Sequence, residues 1–137
     1  FLPMNSLGWM VAHLAWHEQV CWFTRAQGQT PHPELNELAG YGKPASTPPI
    51  DTMWSLWENI TAASEPYLDT LTSEQLVSHW EVNGQPHRES IGSVLRRITY
   101  HYWYHIGESQ AVRQLLGHAD VGNFVGALHS QAPYTPE

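Results

Sequence analysis

The sequence is short of charge, of cations and of cysteine, and each shortage narrows what the protein can be. Its single cysteine, Cys21, excludes an internal disulfide. Only 14% of the 137 residues are charged, and six Lys and Arg stand against thirteen Asp and Glu, a formal charge of −7. Duplexes and anionic membrane surfaces are bound through clustered cations, so neither nucleic acid nor membrane is an expected partner. No apolar run reaches the ~18 residues of a membrane span. No basic-then-apolar leader is visible, and the cytoplasm is the expected compartment. Two metalloenzyme signatures are also missing. His17-Glu18-Gln19-Val20-Cys21 opens like the H-E-x-x-H motif of metalloproteases, but a cysteine stands where the second imidazole is required. No Glu-x-x-His occurs anywhere, which argues against a di-iron bundle.

What is present is aromatic and helical. Seven Trp, six Tyr and three Phe supply bulky apolar surface, and the length suits one domain, residues 1–137, around one core. A first helix is expected from about Ser6 to Gln27, with Asn5 or Ser6 as N-cap and Gly28 as its stop. A connection rich in Pro and Gly follows, with one helical turn around Glu34 to Leu38. Its length suggests a segment that covers a site. A second helix starts near Asp51, places Met53, Leu56, Trp57 and Ile60 on one side, and is expected to kink or end at Pro66. Thr72 and Gln75 fit a capping box, and Asn83-Gly84 with His79 to Val82 fits a small hairpin. The third long helix spans roughly Ser90 to Leu116 and stops at Gly117. The tail beyond it has no helical period and is expected to pack across the bundle as coil.

The chemistry is concentrated in histidine. His101 and His105 lie one turn apart on a face that also carries Val94, Ile98, Val112 and Leu116. His13 and His17 repeat the spacing in the first helix, with Trp9, Met10, Trp16 and Val20 around His13. A buried imidazole needs partners for its ring nitrogens. Two such pairs on apolar faces therefore point to a metal site, with zinc first and nickel second. On a helical wheel His13 lies deeper in the stripe and His17 nearer its edge, beside the site, bonded to a ligand water or to a carboxylate such as Glu108. Glu108 follows His105 by three residues. It orients an imidazole, serves as a general base, or simply pairs with Arg97 or Arg113, and spacing alone does not choose. Cys21 is either a thiolate or, as is commoner, a small buried hydrophobe. His32, His79, His87, His118 and His129 fall in loops or at element ends, where solvated or capping roles are expected.

Asn5-Ser6-Leu7-Gly8-Trp9, His13-Leu14-Ala15-Trp16 and the run from His101 to Glu108, H-Y-W-Y-H-I-G-E, together resemble the DinB/YfiT-like superfamily. The likeness extends to Q-A-V-R-Q-L-L-G and the closing A-P-Y. The resemblance implies an all-α, antiparallel four-helix bundle with a histidine triad. Matched residue by residue, His13 is the single ligand and His101 and His105 are the pair, while His17 lies outside the usual triad. The family's first helix would precede Asn5 and is expected to be missing from this numbering.

The same resemblance implies metal-dependent chemistry with a low-molecular-weight thiol such as bacillithiol, mycothiol or glutathione, transferred to a small electrophile. His17 and Glu108 are the candidate catalytic groups beside the metal. The alternative is a non-catalytic metal-binding or stress-response protein whose site is structural or vestigial. Trp22, Phe23, Trp54 and Trp57 are expected to be exposed or half-exposed. Uncovered apolar surface of that kind, with family precedent, points to a homodimer.

Overall fold

The computed structural model describes residues 4–123 and 125–135. Among them are three long helices and a minimal hairpin, an all-α architecture. Helix α1 (Leu7–Gln19) begins where the Ser6 side chain accepts the Trp9 N–H at 3.1 Å, so Ser6 is the N-cap. The helix runs directly into a π-helical segment, Val20–Arg25, and ends at Gly28, whose φ of +69° suits only glycine well. This extra winding begins three residues after His17.

Helix α1 is the centre of the molecule and is buried on nearly every side. Helix α3 (Ile50–Leu68) and helix α5 (Ile91–Leu115) pack against it, and the loop after residue 28 covers a further face. That loop carries helix α2 (Leu35–Leu38), the single turn expected there. It is held by paired bonds between the Gln19 amide and the His32 backbone (2.6 and 3.0 Å) and by Trp16 Nε1 donating to Asn36 Oδ1 at 2.9 Å. At Gly8 the crossing is so close that a Cβ would meet the Pro48 carbonyl oxygen at 2.2 Å.

Central placement of α1 corrects the expected exposure of two aromatics. Trp22 and Phe23 are buried, Trp22 against the rings of Tyr67 on α3 (6.2 Å) and of Trp80 (5.8 Å). Trp54 is 46% exposed and Trp57 half-buried, as expected.

Pro49 occupies the N-cap position of α3 without a side-chain bond, and Asp51 lies in the first turn. Pro66 lies inside the last turn of α3, which ends two residues later at Leu68. Helix α4 (Ser73–Val77) starts with the Thr72/Gln75 capping box. Strands β1 (Glu81–Val82) and β2 (Gln85–Pro86) pair antiparallel around Asn83 and Gly84, both at positive φ. Helix α5 begins at Ser90, which caps it, and Gly117 follows its end at φ +79°.

The tail differs from expectation. It forms one short turn, helix α6 (Leu128–Gln131), and its described residues are mostly exposed instead of packed across the helices. Leu116, expected on the buried stripe of α5, is 57% exposed for the same reason. No helix among the described residues is long and apolar enough to cross a membrane.

Candidate metal centre

Helices α1 and α5 run antiparallel, and the i, i+4 spacing of each histidine pair turns both pairs toward the shared seam. Asn5 meets Glu108, His13 lies against His105, and His17 meets His101. His13 is 7% exposed and His105 4%, whereas His17 and His101 are half-buried. One ring nitrogen each from His13, His101 and His105 falls within 4.8 Å of the others, a group that could hold a metal ion. His17 does not join that group.

The hydrogen bonds fix the tautomers of two members. His13 Nδ1 lies 2.6 Å from the Ala39 carbonyl and must donate to it, which leaves Nε2 with a bare lone pair. His105 Nδ1 donates to Glu108 Oε2 at 2.8 Å, so its Nε2 is bare as well. Glu108 Oε1 is in turn held by the Asn5 side-chain amide at 3.0 Å. A carbonyl or carboxylate behind each imidazole raises its basicity and locks its orientation, the arrangement that metal-ligating histidines use. His101 Nε2 approaches His105 Nε2 at 3.0 Å, and His101 Nδ1 approaches His17 Nδ1 at 2.8 Å. The donor set therefore fits a nitrogen-binding divalent metal.

Packing holds the cluster rigid. The His13 ring is sandwiched between Trp9 (centroids 4.6 Å apart, 9° between planes) and Trp16 (5.1 Å, 22°). Burial is also the main force on protonation. It lowers the pKa of His13, opposed by the Ala39 bond. It pushes His17 down to about 4, helped by His13, Arg25 and Arg97, and His101 down to about 3, helped by His17 and His105. All three are thus kept neutral, the state in which imidazole binds metal.

Several sequence expectations meet the structure here. Glu108 orients His105 and does not pair with Arg97 or Arg113; Arg97 is bound to Glu89, and Arg113 to the backbone of Asp120 and Val121. His17 lies nearer the edge than His13, as expected. Its partner is neither a carboxylate nor Glu108 but the imidazole of His101, because Glu108 sits two turns deeper along the seam, beyond its reach. Cys21 is fully buried, and burial pushes its thiol up to about 12, so it serves as a small core residue. Glu18, the second letter of the broken protease motif, is hydrogen-bonded to Tyr102 and Trp22.

Asn5 and the Ala39 carbonyl were not legible as parts of the site. Two cap-competent residues stand side by side before α1 and only one is used as a cap, which is the signal that would have singled out Asn5. His87 also exceeds its expected role, lining a cavity of about 890 Å³ that reaches His13, His17 and His101. A second cavity, about 410 Å³ and lined by Met10, Trp54, Trp57 and Ile106, reaches His105.

Against known proteins, residues 2–109 match one family model, that of the DinB superfamily. No curated protein and no solved structure matches the chain.

Proposed function

The chain belongs to the DinB superfamily, and from that premise and the histidine cluster we propose a metal-dependent enzyme that transfers or uses a low-molecular-weight thiol. The observation that carries the reading is the convergence of His13, His101 and His105 within 4.8 Å, with His17 engaged elsewhere. Three protein nitrogens, with no fourth among the described residues, support a site with an open position, the pattern of catalytic rather than structural zinc. A divalent ion there, zinc or nickel, would lower the pKa of a bound thiol and keep its sulfur nucleophilic.

The protein's own groups do the rest. The Ala39 carbonyl, Glu108 and His17 hold the three imidazoles in place. One cavity reaches His13, His17 and His101 and the other reaches His105, which gives the thiol and its electrophile separate approaches. The aromatic wall of the smaller one suits an apolar electrophile.

Elemental analysis is expected to find about one Zn or Ni per chain, with most of it lost in His101→Ala. Metal-loaded protein assayed against a panel of thiols and electrophiles is expected to consume thiol, and the His101→Ala variant is not. Equal metal content in the wild type and in the three single alanine variants would overturn the site. Metal without thiol turnover on any pair would favour the non-catalytic alternative.

A further inference from the structure

The chain has six cationic side chains in all, and four of them line a single cavity. Arg25, Arg88, Arg96 and Arg97 surround the 890 Å³ opening beside the histidines, in a protein whose formal charge is −7. Among the described residues the only carboxylate lining it is Glu89, and Glu89 is committed to a two-pronged bond with Arg97. Arg25, Arg88 and Arg96 form no ion pair with any carboxylate among the described residues. Surface arginines in an acidic protein ordinarily find acidic neighbours. Here three are left without them around one concavity.

Their placement follows from the same antiparallel seam that builds the histidine cluster. Arg97 precedes His101 by four residues on α5, one turn toward the mouth. Arg25 follows His17 by two turns on the first helix, and both arginines act electrostatically on His17. The seam thus runs from His13 and His105 in the interior, through His17 and His101, to arginines at the rim. A group bound at the histidines would extend outward into that positive field.

We propose that this cavity binds the oxyanion end of a small ligand, a carboxylate or a phosphate, whose other end reaches the histidine cluster. The guanidinium fork matches either oxyanion and binds it through paired hydrogen bonds. This rests on the thiol reading above and specifies it: the thiol cosubstrate is anionic.

Four small probes separate the two ideas. They are 3-mercaptopropionate (anion, thiol), 3-mercapto-1-propanol (neutral, thiol), butyrate (anion, no sulfur) and 1-butanol (neither), each titrated into the metal-loaded protein. Trp16 lines the cavity and reports binding by fluorescence, with calorimetry as a second readout. The anionic thiol is expected to bind about tenfold tighter than the neutral one at low salt, an advantage that shrinks as salt is added. An Arg88→Gln/Arg96→Gln variant is expected to lose most of that advantage while keeping its metal. Both positions are exposed, so folding is not at stake.

Equal affinity for the charged and neutral thiols, or an advantage untouched by the double variant, would overturn the oxyanion site and leave the thiol reading standing. Binding of 3-mercaptopropionate no tighter than butyrate, with the arginine dependence intact, would remove the thiol and keep the oxyanion site. Displacement of the probe by inorganic phosphate at lower concentration than by butyrate assigns the oxyanion as phosphate; the reverse order assigns it as carboxylate.

Discussion

His17 Nδ1 and His101 Nδ1 lie 2.8 Å apart, so one imidazole donates a hydrogen bond to the other. With His105 Nε2 bare, His101 Nε2 donates to it and His101 Nδ1 accepts from His17. A cation held on His101 Nε2 would need that nitrogen bare and would put the ring proton on Nδ1, aimed at His17. His17 then accepts it. It thereby acts on the centre only through His101, as the Ala39 carbonyl acts through His13 and Glu108 through His105.

That relationship separates the two histidines of α1 by experiment. His17→Gln still offers an acceptor to His101 and is expected to retain the metal, with activity at most impaired. His13→Gln removes a nitrogen of the cluster and is expected to lower metal affinity roughly tenfold or more. Chelator competition measures both, and loss in the first with retention in the second would reverse the assignment.

Glu108→Gln tests the carboxylate behind His105. The amide can still accept the Nδ1 proton but no longer supplies charge, and metal affinity is expected to fall by roughly 10- to 100-fold. Asn5→Ala frees one Glu108 oxygen and is expected to act in the same direction, more weakly. Unchanged affinity in Glu108→Gln would show that this bond does not tune the site.

Glu18 carries a pH dependence whose sign is fixed by its burial. Desolvation raises its pKa above the ordinary 4.5, so the folded chain binds this proton more tightly than the unfolded one. Its contribution is fully present below about pH 4.5 and is lost as pH rises through the folded value. Glu18→Gln removes that loss. It is expected to raise the melting temperature by about 3 °C at pH 8, with a smaller gain at pH 5. A larger gain at the lower pH would contradict the sign.

Exposed aromatic surface remains after the correction at Trp22 and Phe23. Trp54 is 46% exposed, Tyr100 70% and Tyr104 68%, the last two one turn apart on α5. We expect a homodimer, measured by light scattering at micromolar concentration. A monomer under those conditions would show that these residues need no cover from a second copy.

Most helix boundaries and the histidine faces are set locally along the chain. Helix periodicity, caps and turn residues act within a few positions, so Ser6, the Thr72/Gln75 box, Asn83-Gly84 and Gly117 each mark a boundary that can be read locally. The two H-x-x-x-H pairs were legible for the same reason, since an i, i+4 spacing fixes a shared face wherever a helix forms. Tertiary packing decided the rest. Trp22 is covered by Tyr67 and Trp80, which lie 45 and 58 positions further along the chain, and no local period encodes that. The partner of each imidazole depends on how deep it sits along the α1–α5 seam, which assigned Glu108 to His105 and left His101 for His17. The arginine-lined cavity is the clearest case. Arg25 lies more than 60 residues from Arg88, Arg96 and Arg97, and only the antiparallel packing of two helices brings the charges to one mouth.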